Sequence, residues 1–142
     1  MIAVIRISGM VNVKAPEDET LSRLRLRRKY CCVLIDDKRP EMMGMITKVR
    51  NFIAYGKIDE ATLIALLKTR GKVFENSKAK LENHEKLAKE ILAGKSLEEL
   101  GIKPFFRLHP ARGGIKNIKL HYPRGVLGDN KEAINKLIMR ML

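Results

Sequence analysis

Three apolar runs of strand length, Met1–Ile7, CCVLI at Cys31–Ile35 and NFIAYGKI ending at Ile58, alternate with two segments of helical character. This alternation limits the fold most, because strands joined through short helices bury their apolar faces as one small sheet with helices packed on it. In the first run Met1, Ala3, Ile5 and Ile7 share a wholly apolar face, while Ile2, Val4, Arg6 and Ser8 share a mixed one. That pattern predicts one packed face and one wetter face. Pro16 followed by Glu17, Asp18 and Glu19 opens a helix that Leu21 and Leu24 hold down. Arg25, Arg27, Arg28 and Lys29 at its far end suit the macrodipole. A second helix starts at Pro40 and carries Met42, Met45, Ile46, Val49 and Ile53 near the helical period, with Met42, Met43 and Met45 read as helix core. The first part therefore reads β-α-β-α-β.

A third helix runs from Asp59, an N-cap, through Leu63, Leu66 and Leu67 to Gly71. The more polar stretch 72–95 contains a short helix marked by Leu87 and Ile91 and ending near Gly94. Ser96 and Glu99 form a capping box on a single turn, and KPFFRLH alternates enough to be extended. From Arg107 to Gly128 the chain is basic, punctuated by glycine and proline and without helical period, so it reads as an irregular cationic arm. It closes on a helix with a capping box at Asp129 and Glu132 and a stripe of Ile134, Leu137, Ile138 and Met141, which docks it. The 142 residues are enough for one core, divided here into a β-α-β-α-β unit at 1–58 and a C-terminal extension at 59–142.

Charge narrows the function. The chain has 29 basic and 16 acidic side chains, a net +13, which implies a polyanionic partner. Residues 1–58 carry 12 basic and 6 acidic groups, 59–100 carry 8 and 8, and 101–142 carry 9 and 2. The excess lies in the two end portions, as expected if they meet in one footprint. In RLRLRRK, Arg23 to Lys29, no acid is interleaved, and arginine offers phosphate a bidentate fork that lysine lacks. The competing reading is the solvated face of an amphipathic helix. In RLHPARGG, Arg107 to Gly114, the glycines let backbone N–H groups approach a ribose-phosphate chain and Pro110 stiffens the approach.

Catalysis finds little support. No nucleophile with an adjacent base and no grouped carboxylates can be assembled. His109 and His121 would serve as an acid–base pair in a ribonuclease only if they meet. His84, His109 and His121 lack metal-ligand spacing, and adjacent Cys31 and Cys32 suit neither a disulfide framework nor a zinc site and read as core. No uncharged apolar run reaches membrane-spanning length, and the opening run, interrupted by Arg6, reads as a strand and not a signal peptide, pointing to the cytoplasm. Tryptophan is absent and aromatics are few, which favours recognition of folded RNA by shape over base stacking.

The order IAVIRISG, CCVLI, PEMMGMITKVRNFIAYGKI, LHPARGG and GDNKEAINKLIMRML resembles the archaeal long form of the large-ribosomal-subunit protein L-thirty family, whose eukaryotic relatives are called L-seven. The resemblance implies an α+β, ferredoxin-like fold: an antiparallel three-stranded sheet with two helices on one face, plus an α-rich C-terminal extension with a basic arm. It implies a structural role on large-subunit rRNA beside neighbouring large-subunit ribosomal proteins, with no cofactor, metal, small-molecule substrate or reaction. The family's Gly-Met element falls on Gly44 and Met45, and its HP.RGG loop on His109, Pro110, Arg112, Gly113 and Gly114. Met43 stands where many relatives have arginine, and Ala111 where a second proline is common. The RNA-binding set expected from residues and resemblance together is Arg23, Arg25, Arg27, Arg28, Lys29, Arg39, Arg50, Arg107, His109, Arg112, Gly113, Gly114, Lys116, Lys119 and Arg124. A free-standing nucleic-acid-binding regulator with a ferredoxin-like ligand or partner domain is the alternative, and a preference for B-form DNA over structured RNA would mark it.

Overall fold

A computed structural model describes residues 1–74 and 83–142; part of the polar stretch after Gly71, residues 75–82, lies outside them. The three expected strands are β1 (Ile2–Arg6), β2 (Cys31–Ile35) and β3 (Ile53–Lys57). β1 is central and antiparallel to both neighbours, with Val4 opposite Val33 on one side and Tyr55 on the other. Two helices, α1 (Ala15–Arg23) and α2 (Pro40–Lys48), cover one face, where Val4, Leu21, Leu24, Val33, Ile46 and Ile53 form a buried cluster. Ile53 belongs to β3 and not, as its spacing suggested, to the second helix.

The other face is not open to water. The remaining helices α3 (Glu60–Arg70), α4 (His84–Leu92) and α5 (Ala133–Met141) contribute Leu63, Leu66, Ile91, Ile134 and Ile138 to a second cluster with Ala3, Ile5, Ile7 and Ala54. Every residue of β1 is buried, Arg6 included. The expectation of a wetter face fails because both faces are packed, and strands of this kind read as near-continuous apolar runs.

The sheet also has more strands than expected. Two-residue strands β4 (Phe106–Arg107) and β5 (Gly128–Asp129) extend it to the order β4-β2-β1-β3-β5. The expected α+β core of three antiparallel strands with two helices on one face therefore stands, and the correction is confined to the edges, where β4 joins antiparallel to β2 and β5 parallel to β3. Elements of two residues carry no periodicity to read. α5 buries its whole expected stripe, Ile134, Leu137, Ile138 and Met141. The turn into it and its first residues lie so close to β3 that a Cβ on Gly56 would sit 2.1 Å from the Lys131 carbonyl oxygen and 3.0 Å from the Ile134 side chain. Asp129 is not in the helix cap but in β5, where its carboxylate accepts from the Lys131 N–H at 2.9 Å.

α1 ends six residues earlier than its charge pattern suggested. The Leu26 N–H donates to the Leu21 carbonyl at 2.8 Å and the Arg25 N–H to the Ser22 carbonyl at 3.0 Å, the paired bonds of a Schellman stop. Arg25 takes the left-handed position at φ 61, a conformation that costs a non-glycine residue about 1–2 kcal/mol. Burial of Leu21 and Leu26, the apolar pair that accompanies such a stop, offsets it. The basic run Arg25–Lys29 is therefore a loop and not a helix face.

Candidate nucleic-acid interface

Within that loop Leu24 and Leu26 are buried while Arg23, Arg25, Arg27, Arg28 and Lys29 are exposed. Alternate residues anchor, and the arginines between them project. The backbone is pinned from below by Arg6, whose fully buried guanidinium donates to the carbonyls of Leu26 at 2.7 Å, Arg27 at 3.3 Å, Ser8 at 3.1 Å and Gly9 at 2.9 Å. Burial lowers the Arg6 pKa from its ordinary value, while Asp18, 3.9 Å away, and Cys31 oppose the shift. One cation thus satisfies four carbonyls that would otherwise be orphaned beside the loop.

The C-terminal portion meets this loop through β4. Arg107 is the register partner of Cys31, and the Leu108 N–H donates to the Tyr30 carbonyl at 3.0 Å. Between the 25–28 loop and the segment before β4 lies a groove of about 1000 Å³, its rim formed by Arg25, Arg27, Arg28, Lys103 and Arg107. Arg107 stacks over Phe105 with its guanidinium carbon 5.6 Å from the ring centre, and Lys29 Nζ lies 4.9 Å from that of Tyr30. Acids reach only two of the loop's cations among the described residues: Arg23 pairs with Glu19 at 2.6 Å and Arg25 with Glu98. Cys31 borders the groove, but burial pushes its thiol above the ordinary range despite Arg107 and Arg6 nearby, which leaves it a poor nucleophile at neutral pH.

The LHPARGG loop is docked to α5. His109 and Arg112 donate their backbone N–H groups to the carbonyls of Met141 and Arg140, each at 2.9 Å. The Arg140 side chain returns donors to the carbonyls of Arg112, at 3.1 Å, and Gly114. Leu108 and Ala111 enter the core, whereas His109, Arg112, Gly113 and Gly114 are exposed. Both glycines have positive φ with open space where a Cβ would stand, so they leave the backbone reachable from outside.

Lys116, Lys119 and Arg124 occupy the arm, which crosses to the opposite edge of the sheet. There His121 Nε2 is hydrogen-bonded to Asn51 Oδ1 at 3.0 Å, next to Arg50. Arg39 lines a smaller groove of about 280 Å³ with Arg23, Arg25 and Lys95. All fifteen expected residues are exposed. Arg25, Arg27, Arg28 and Arg107 come together in one groove, Arg39 meets the other side of the same loop beside Arg23 and Arg25, and the arm carrying Lys119 and Arg124 is fastened next to Arg50 through His121 and Asn51. His109 and His121 sit at opposite edges, so the pair that a ribonuclease requires is not assembled. Met43 is half-buried against the α1–α2 cluster, spent on packing at the point where relatives place a cation. Sequence reasoning missed Arg6, Lys103 and Phe105. The period-2 spelling Arg-Leu-Arg-Leu-Arg was the available signal that residues 23–27 alternate between surface and core instead of winding.

A family model described as Ribosomal protein L30p/L7e matches residues 2–53. The chain is similar to the large ribosomal subunit protein uL30 of Archaeoglobus fulgidus, 45% identical with 99% of each chain covered. It is also similar to the uL30 proteins of Nanoarchaeum equitans, at 41% identity, and Aeropyrum pernix, at 38%. In both cases all of this chain and 99% of the relative are covered.

Proposed function

The chain belongs to the ribosomal protein L30p/L7e family, and from that premise we propose that it is a non-enzymatic structural constituent of the cytoplasmic large ribosomal subunit. It binds and holds rRNA through its exposed basic residues, alongside neighbouring large-subunit proteins, and supports assembly. One observation carries the reading: the acid-poor 25–29 loop and Arg107, far apart in sequence, form one rim through the pairing of β2 with β4. Such a rim tracks a phosphate chain, with affinity coming mainly from counterion release.

Binding to large-subunit rRNA as a function of salt tests it. With about six to ten phosphates neutralised, affinity falls by roughly 10³ to 10⁵ between 50 and 200 mM salt. A flat response, or a preference for B-form DNA in competition, overturns the reading.

A further inference from the structure

The groove at the β4 edge holds more than charge. Two of the chain's four phenylalanines line it: Phe105, half-buried beneath Arg107, and Phe74, 39% exposed. The backbone brings them there, because the Phe74 N–H donates to the Gly101 carbonyl at 3.0 Å and the Lys103 N–H to the Lys72 carbonyl at 2.8 Å. A rim serving only to track phosphates needs neither a cleft of about 1000 Å³, at the upper end of the roughly 300–1,000 Å³ of small-molecule pockets, nor aromatic lining. Among the described residues that line it, five cations face one carboxylate, Glu98, which is already paired with Arg25.

We propose that this groove receives an unpaired RNA nucleotide, its base stacked on the Arg107 plane that Phe105 supports from beneath and its flanking phosphates on Arg27 and Arg28. The inference rests on the RNA-binding reading and adds the class of RNA that the β4 edge selects. Bases splayed out of a bulge or loop are recognised by stacking on aromatic rings and guanidinium planes, whereas an A-form duplex shows a protein its backbone and shallow groove. The scarcity of aromatics along the whole chain argued against stacking; their placement reverses that argument locally.

The full-length protein is titrated against two fluorescein-labelled RNA hairpins, identical except that one carries a single bulged adenosine. The wild type prefers the bulged hairpin by about tenfold, the scale of one stacked base. Phe105→Leu keeps the apolar packing and binds both hairpins alike at the perfect-duplex affinity. Phe105→Trp retains the preference, and its emission is quenched by the bulged hairpin alone. Equal wild-type affinity for both hairpins overturns the inference and leaves RNA binding standing, as does a preference that survives in Phe105→Leu. Binding to neither hairpin overturns both readings.

Discussion

At the β4 edge the cations stand on backbone held by the core, while at the β5 edge they stand on an arm that mostly holds itself. Leu24, Leu26 and Arg6 fix the first loop from within the fold. The arm is closed by its own turns: the Asn117 carboxamide oxygen accepts from the Lys119 and Leu120 N–H groups at 2.8 and 3.2 Å, and the Tyr122 N–H donates to the Leu127 carbonyl at 2.9 Å. It leaves Ile118, Leu120 and Tyr122 exposed. Equal formal charge can therefore carry unequal ordering costs on binding. The preorganised loop loses little conformational freedom when a phosphate arrives, whereas lysines on an exposed arm lose rotamer entropy at each contact.

The contrast breaks most visibly at Arg6. Arg6→Met leaves four buried or half-buried carbonyls without their donor, and is expected to lower unfolding free energy by about 3–5 kcal/mol in urea denaturation. An unchanged midpoint would show that the loop does not depend on its pin. Next in size is the effect of removing charge from the core-held loop and from the arm separately. Replacing Arg27, Arg28 and Arg107 by alanine lowers the slope of log affinity against log salt by about 2–3. The same treatment of the arm's Lys116, Lys119 and Arg124 lowers it less, and equal losses would erase the distinction between the core-held loop and the arm. A smaller gain of function sharpens it: Glu98→Gln frees Arg25, raising rRNA affinity a few-fold and steepening the slope by about one contact. Because the Arg25–Glu98 pair is half exposed, thermal stability changes by less than about 1 kcal/mol.

The smallest effect belongs to a site at neither edge. The ammonium of Met1 donates to Asp37 at 3.1 Å and holds its carboxyl below the ordinary value of 3.8. A carboxyl lowered on folding stabilises above its unfolded value, and the contribution is lost as pH falls through the folded one. Asp37→Asn therefore flattens the acid limb of the stability profile slightly and leaves neutral-pH RNA binding alone. Circular dichroism melts across acidic pH measure it.

Residues whose own periodicity decides their state were legible from sequence. The Ile134, Leu137, Ile138 and Met141 stripe, the Asp59 and Gly71 limits of α3, and the three main strands all lie where local patterning puts them. The Ser96–Glu99 box also forms, with reciprocal bonds of 3.3 Å, although on a turn. Legibility ended where a partner distant in the chain sets the outcome. Arg6 reads as a wet residue until four carbonyls from two loops are seen around it, and β4 and β5 exist only because β2 and β3 offer edges. The basic run suited a helix end by charge alone, yet the burial of Leu26 against Leu21 stopped the helix first. The candidate residues were exposed as expected; their division between two edges was invisible, since it follows from the arm crossing the sheet.

The capping of both flanks by β4 and β5 has a consequence for how the chain is born. Translation delivers β1, β2 and β3 first, and at about 5–20 residues per second the stretch from 58 to 129 takes about 4–14 s more. Throughout that interval the outer side of β3 shows unpaired N–H and C=O groups, a template for strand addition by another nascent chain. The last strand to emerge is thus what makes a free copy safe to diffuse, and a product cut short before Gly128 would be prone to self-association.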